Sequence, residues 1–374
     1  MSETLKSLRF TLLAIFAALI VSAFIIVITD IEALGNGDFG TALSTLRTAY
    51  WGLFTGAFGS LRAISNTITG ATPLLLAGLA VSSAFKAGLF NIGATGQMLA
   101  GAMTGLWVGF AFQLPPLLHV PLALIASAIG GALYGAIPGL LKARTGAHEV
   151  ITTIMLNGIA SFTVLWLLKT ELFKREGRDD AISKFVEESA RLPRLFGFMG
   201  NRIDLLAHTG FIVALLGTFG FWWLLRKTTL GFEMQATGFN QEAAKYAGMR
   251  TKSLMVVSMA IAGSFAGLAG GSEVLGLYGY ASATVAGDIG FDAIAVALLG
   301  RSTPVGTMVA AILFGALQAG GRQMQVDTDV PIDLIIVLRA LIVMFIAAPL
   351  LVKAMFRMKG EAKAFGQTFR GWGG

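Results

Sequence analysis

Apolar residues in this chain fall in long unbroken runs rather than in the alternation of a half-buried strand. Ten such runs stand out: 10–29, 67–86, 95–113, 119–141, 150–168, 209–225, 253–275, 289–300, 303–320 and 331–352. All but 289–300 are near the ~17–25 residues that a helix needs to cross a bilayer. A helix that is apolar all round at that length belongs in lipid, where only helices and closed barrels satisfy every backbone group. The pattern therefore predicts an all-α integral membrane protein with about ten transmembrane helices.

The polar interruptions are unequal. Residues 30–66 include "LRTAYWGLFTGAFGSLRAI", partly amphipathic, which predicts a helix lying along the membrane interface. Residues 169–208 mix both charge signs densely ("TELFKREGRDDAISKFVEESARLPRL"), which suits either a solvated cap or a surface for an extracytoplasmic partner. The third interruption, 226–252, reads "RKTTLGFEMQATGFNQEAAKYAGMRTK". It carries a compact helix signal: Asn240 to cap, Glu242 in the first turn, Ala243, Ala244 and Ala247 within, and Gly248 as the stop. A charged loop needs no such capped helix, so a docking element is the stronger expectation.

Charge gives the runs a direction. The chain has 374 residues, 55% hydrophobic and 13% charged, against about 25% charged in a soluble domain. The first run is too long for a signal peptide's apolar core of about 7–15 residues, so it reads as a retained anchor. With the N-terminus inside, the predicted cytoplasmic segments hold 16 Lys/Arg and five Asp/Glu, and the remainder 12 and 16. That asymmetry supports N-in and C-in. The net charge of +7 then reads as a topology signal rather than a nucleic-acid surface. The domain layout expected is one transmembrane domain over 1–374. It comprises an N-terminal span and outer segment (1–66), a first repeat (67–168), the outer insertion (169–208), the cytoplasmic loop (226–252), a second repeat (253–352) and a cytoplasmic tail (353–374).

Chemistry-bearing residues are few. The chain contains no Cys, and His119, His148 and His208 have no metal-ligand spacing, so no metal site is expected. No phosphate-binding Gly-rich loop of the G-x-x-x-x-G-K-[ST] type occurs, so the chain is not expected to hydrolyse ATP. Within the runs, Asn157 either hydrogen-bonds a neighbouring helix or lines a path. Glu149 either favours its helix N-terminus or contacts a partner or gate. Glu273 is interfacial or a polar lining group. Arg339, near mid-membrane, costs at least ~2.5 kcal/mol there. It therefore pairs with Asp288, Asp292 or Glu273, or faces the path. Gly101, Gly105 and Gly109, and likewise Gly263, Gly267 and Gly271, recur every four residues and predict close helix packing.

The stretch "FNIGATGQMLAGA" (90–102) sets Asn91 and Gln97 among small residues. It is echoed by "DIGFDAIAVALLG" (288–300), where Asp288 takes the place of Asn91. In the predicted topology the two segments run in opposite directions. That is the mark of an inverted repeat, spans 2–5 against 7–10, with broken helices at the substrate path. Asn91 and Asp288 would then cap helices that begin within the membrane, with Gln97 near the path.

Four stretches carry a family resemblance: "LGFEMQATGFNQEAAKYAGM", "FKAGLFNIGATGQMLAGA", "HEVITTIMLNGIA" and "ALLGRSTPVGTMVAAILFGALQAGG". Spread over about residues 65–350, they resemble ABC-importer permeases for simple sugars and nucleosides, related to ribose and branched-chain amino-acid permeases. The extra first span and the long 169–208 insertion look like the larger of the two nucleoside-type permeases. Arg339 departs from the uncharged residue expected there. The resemblance implies half of a substrate path in a prokaryotic cell membrane. It implies a second, usually non-identical permease, a cytoplasmic ATPase that uses ATP, and an outer substrate-binding protein. It also implies coupling through Gly238, Asn240, Glu242, Ala243, Ala244, Tyr246 and Gly248. The competing classes are an ion-coupled secondary transporter, which needs intramembrane carboxylates, and an intramembrane enzyme, which needs a nucleophile–base pair or metal ligands in the runs.

Overall fold

The computed structural model describes residues 3–29, 39–200, 202–328, 333–347 and 355. Among the described residues there is no strand, only isolated bridges at 174–183, 182–282 and 194–208. The helices are α1 (Glu3–Thr29), α2 (Phe39–Phe58), α3 (Leu61–Lys86), α4 (Ala94–Ala111), α5 (Pro116–Thr145), α6 (Glu149–Leu167) and α7 (Gly210–Lys227). Two short helices follow, α8 (Thr229–Phe239) and α9 (Gln241–Tyr246). The chain then forms α10 (Thr251–Ser272), α11 (Ile289–Leu299), α12 (Pro304–Thr328) and α13 (Asp333–Ala347).

All ten apolar runs fall on helices, although the ends of the last run and nearly all of the 353–374 tail lie outside the described residues. Among the described residues, six helices are long and apolar enough to cross a membrane: α3, α5, α6, α7, α10 with its extension to Tyr278, and α12. In α4, Thr95, Gln97 and the glycines dilute the hydropathy. The 11 residues of α11 span about 16 Å at 1.5 Å each.

Two compact units are present, and α3 and α12 each contribute to both. In the first (to Gly70, and from Ile312), α1 packs on α2 and α13, and the Tyr50 hydroxyl donates to the Leu19 carbonyl at 2.6 Å. The stretch 46–64 is not the single interfacial helix expected. It breaks at Gly59, and Ser60 Oγ accepts the Ala63 N–H at 3.0 Å, so α3 starts six residues before its apolar run. A Ser with its side chain free to cap outcompetes continuation of the previous helix.

The second unit (71–311) is built on α4, α5 and α10. Glycines make this junction possible. A Cβ at Gly101 would strike the Gly267 backbone, one at Gly263 or Gly267 the α5 backbone near Gly131, and one at Gly105 or Gly271 the Ser127 hydroxyl. Gly109 differs in meeting no part of α5 or of the α10 backbone, only the side chains of Val186 and Leu275. The matching stripe on α5, Gly131, Gly135 and Gly139, faces the backbone of α10.

After Ser272 the helix widens into a π-turn, Glu273–Tyr278, ended by Gly279 at φ +73°. The 169–208 insertion is tied to this turn and its sequel by backbone bonds. Leu192 N–H donates to Leu275 O (3.0 Å), Val186 N–H to Gly279 O (2.9 Å) and Ser183 N–H to Ala281 O (3.0 Å). Ser183 Oγ accepts the Ala281 N–H at 2.8 Å. The Arg175 guanidinium stacks on Phe185 at 3.7 Å. Both charge signs lie on the exposed side, as the Arg178–Asp180 and Arg202–Asp204 pairs.

Candidate functional site

Between α3 and α4 the chain leaves the helix for residues 87–93, yet stays largely buried. Its backbone groups therefore need partners. Leu89 N–H turns back to Ala84 O at 3.0 Å, closing α3. Beyond it, side chains take over. Asn91 Oδ1 accepts the Gly93 N–H at 2.9 Å, and the Asn91 and Gln97 amides bond each other at 2.9 and 3.1 Å. Asn157, on α6, accepts the Gly96 N–H at 2.8 Å and donates to Ile92 O at 2.9 Å. Three amide side chains thus close the break and fix the start of α4. Asn91 and Gln97 are buried, and Asn157 is half-buried.

Glu149 belongs to the same arrangement by a route that its position in the chain does not reveal. Its carboxylate pairs with Lys142 and accepts the Phe90 N–H at 3.4 Å. One residue at the first turn of α6 thus ties the end of α5 to the break.

The second break precedes α11. A Cβ on Gly290 would meet Thr95, so the first turn of α11 abuts the first turn of α4. Asp288 occupies the N-cap position, but its side chain makes no capping hydrogen bond, and it is exposed. The structure thus brings Asn91, Gln97 and Asn157 together and sets the Asp288 end of α11 beside the start of α4. Glu273 is buried at the first residue of the π-turn, and π-turns inside helices frequently mark functional positions. No local pattern in the sequence signals that turn. Arg339 lies half-buried on α13, in the first unit, whereas Glu273, Asp288 and Asp292 lie in the second.

The 226–252 loop holds two helices where the sequence suggested one. Thr228 Oγ1 accepts the Gly231 N–H at 3.0 Å and opens α8, and Asn240 Oδ1 accepts the Ala243 N–H at 3.0 Å and opens α9. Gly248, at φ +84°, ends the element. Ala244 is buried, whereas Glu242, Ala243 and Tyr246 are exposed. Phe239, an apolar residue that the sequence alone does not single out, is 83% exposed. Gly238 packs directly on Gly88 at the start of the first break.

Outside the helices, His208 is buried against Gly276 of the π-turn. Its Nδ1 accepts the Gly210 N–H at 3.2 Å, which fixes the neutral form. Burial, with a smaller push from the Arg194 charge, lowers its pKa to about 4.

Residues 63–351 match the family described as branched-chain amino acid transport system / permease component. Among similar proteins is the guanosine ABC transporter permease protein NupP of Bacillus subtilis (strain 168), 43% identical over 81% of this chain and 86% of its own. The nucleoside ABC transporter permease protein NupB of Lactococcus lactis subsp. cremoris is 38% identical, over 84% and 88%. The glucose ABC transporter permease protein TsgB13 of Haloferax volcanii is 36% identical, over 86% of each. No solved structure matches the chain. With most of its length matched, and its apolar helices in place, the chain belongs to the branched-chain amino acid transport system / permease component family and is a multi-pass permease subunit of the cell membrane.

Proposed function

We propose that this chain forms half of the substrate path of an ATP-binding-cassette importer for nucleosides, with simple sugars as the next substrate class. The observation that carries the proposal is the Asn91–Gln97–Asn157 cluster, two of its three amides buried, at a helix break whose first residues, 87 and 88, pack on Gly238 of α8. Amides that satisfy a broken helix inside a membrane are expensive to keep unless the break serves a path. The start of α4 against α11 supports the inverted repeat of spans 2–5 and 7–10. Ten crossings with both termini inside belong to the same reading, on the apolar runs and the charge asymmetry. The names of the nucleoside and guanosine relatives favour a nucleoside, and the glucose relative keeps sugars as the alternative.

The partners in this reading are a second permease, a cytoplasmic ATPase and an outer substrate-binding protein. The outward apolar face of α6 (Ile154, Met155, Ile159 and Phe162 exposed) supports a second subunit or lipid there. The exposed Glu242, Tyr246 and Phe239 support α8–α9 as the ATPase dock, since aromatic side chains are common anchors. ATP is used by that partner, and Asp288, Glu273 and Arg339 are assigned to the path.

The test is uptake of labelled guanosine, adenosine, ribose and glucose into vesicles holding the chain with its partners. ATP-dependent nucleoside uptake, competed poorly by sugars, is expected. Uptake that persists without the ATPase and follows a proton or sodium gradient overturns the proposal in favour of a secondary transporter. Glu242→Arg should leave the chain inserted but abolish ATPase binding or coupling.

A further inference from the structure

We infer that residues 86–93 carry movement of α8–α9 to the Asn91–Gln97–Asn157 cluster, with Gly88, Gly238 and Glu149 as its positioning residues. The inference rests on the reading of α8–α9 as the coupling element.

The contact at one end is backbone on backbone. A Cβ on Gly88 would lie 2.8 Å from the Gly238 Cα, and one on Gly238 would lie 2.7 Å from the Gly88 nitrogen and 2.8 Å from the Ala87 carbonyl carbon. Gly88 also needs its glycine for φ +71°. No side chain stands between the two glycines to absorb a displacement by changing rotamer. The same seam is backed by an apolar cluster in which Met234 of α8 joins Ala87, Leu89, Met255 and Met259. Close-packed contacts of this kind transmit strain rather than cushion it.

The other end is soft in a specific way. Residues 87–89 are closed onto α3 by backbone bonds to Ala84 and Phe85. Side chains meet three groups of 90–93: Glu149 the Phe90 N–H, Asn157 Ile92 O and Asn91 the Gly93 N–H, while Gly93 O takes the Gln97 N–H of α4. A push at Gly88 therefore reaches groups that re-pair by moving side chains, without unwinding a helix. Glu149 sets the rest position, because Lys142 holds its other oxygen at the end of α5. The break thus has a rigid input at Gly88 and an adjustable output at Asn91.

The test uses the chain assembled with its partner permease and ATPase in proteoliposomes. Three quantities are read: ATPase retained on purification, ATP hydrolysed, and nucleoside imported per ATP. Gly238→Ala and Glu149→Ala should retain the ATPase and its hydrolysis while import per ATP falls roughly tenfold, within the usual range of a coupling free energy. Glu149→Asp should recover part of the loss, which a general packing defect does not predict. Import at the native ratio in both alanine variants overturns the inference, and so does loss of the ATPase from Gly238→Ala, which would make that glycine a docking residue. If Gly238→Ala does not accumulate in the membrane, the Glu149→Ala and Glu149→Asp pair decides. A Glu242→Arg variant run beside them separates the two levels. If it binds and imports normally, the coupling reading itself fails. If it uncouples while Gly238→Ala and Glu149→Ala do not, only the route through 86–93 fails.

Discussion

The two breaks that precede α4 and α11 share a sequence pattern but are held by opposite means. In the first, 87–89 close onto α3 by backbone bonds, and in 90–93 side chains of the break and of α6 take over: the amides of Asn91 and Asn157 and the carboxylate of Glu149. At 279–288 Gly279 and Ala281 bond to Val186 and Ser183 of the insertion, and the residues after them close through local turn bonds such as Val285 N–H to Ser282 O and Gly287 N–H to Thr284 O. Asp288 matches Asn91 in the sequence pattern but not in place. Asp288 is the N-cap of α11 and makes no capping bond, whereas Asn91 lies two residues before Gly93, the N-cap of α4. Neither side chain caps its helix as the sequence suggested. A shared sequence pattern can thus leave one copy held by side chains from within it and from a neighbouring helix, and the other tied at its start to an insertion. The first break touches α8–α9, and the second is tied to the 169–208 segment.

The largest expected effect comes from the first break. Asn157→Leu removes the partners of the Gly96 N–H and the Ile92 carbonyl and keeps the branched heavy-atom shape of the side chain, though with more bulk. At about 1–3 kcal/mol for each buried group left unpaired, the variant should lose about 3 kcal/mol. Thermal unfolding in detergent reads this directly. A variant as stable as the native chain would mean that water or movement replaces these bonds, and the contrast between the two breaks would weaken.

A somewhat smaller effect is expected where the insertion meets the π-turn, and it depends on pH. His208 is neutral in the fold, with a pKa of about 4 against about 6.5 when unfolded. The unfolded form takes up the proton first as pH falls, so the contribution is fully present above about pH 6.5 and is lost between about 6.5 and 4. At about pH 5 the loss is about 2 kcal/mol. Protonation of Nδ1 would also remove its acceptance of the Gly210 N–H. Limited proteolysis of 169–208 should therefore accelerate between about pH 7 and pH 5, and His208→Gln should flatten that step. Cleavage with the same pH profile in both chains would show that His208 does not hold the insertion.

The two regions also show which features a sequence displays and which it hides. Ten apolar runs mark ten helices because hydropathy over about 20 residues is a dense signal. Asn240 and Gly248 are readable as helix ends because capping is local chemistry. The π-turn at Glu273 and the role of Glu149 are not readable. The first is accompanied by tertiary ties to Leu192 and Val186, residues far away in the chain. The second depends on Phe90, 59 residues away, whose N–H donates to the Glu149 carboxylate. Asn157 stands between two roles in the sequence for the same reason: its spacing says nothing about Ile92 and Gly96. The glycine stripe of α5 does have visible four-residue spacing, but Pro138 beside Gly139 obscures its helical continuity.

The smallest expected effect is the most informative about the path. Asp288→Asn removes a charge at the start of α11 without removing any capping bond, since none is made. Its stability cost should be limited to the interaction with the helix dipole, about 0.3–1 kcal/mol at an exposed position. Stability and transport can therefore be separated at this residue, as they cannot at Asn91, whose amide closes the first break. If Asp288 faces the substrate path, the Asn variant should keep its unfolding temperature within a few degrees while nucleoside uptake changes in apparent affinity. If both unfolding and uptake stay native, Asp288 is a surface residue and the sequence echo of Asn91 carries no function. A large loss of stability would show instead that the second break, like the first, is held by its own side chain.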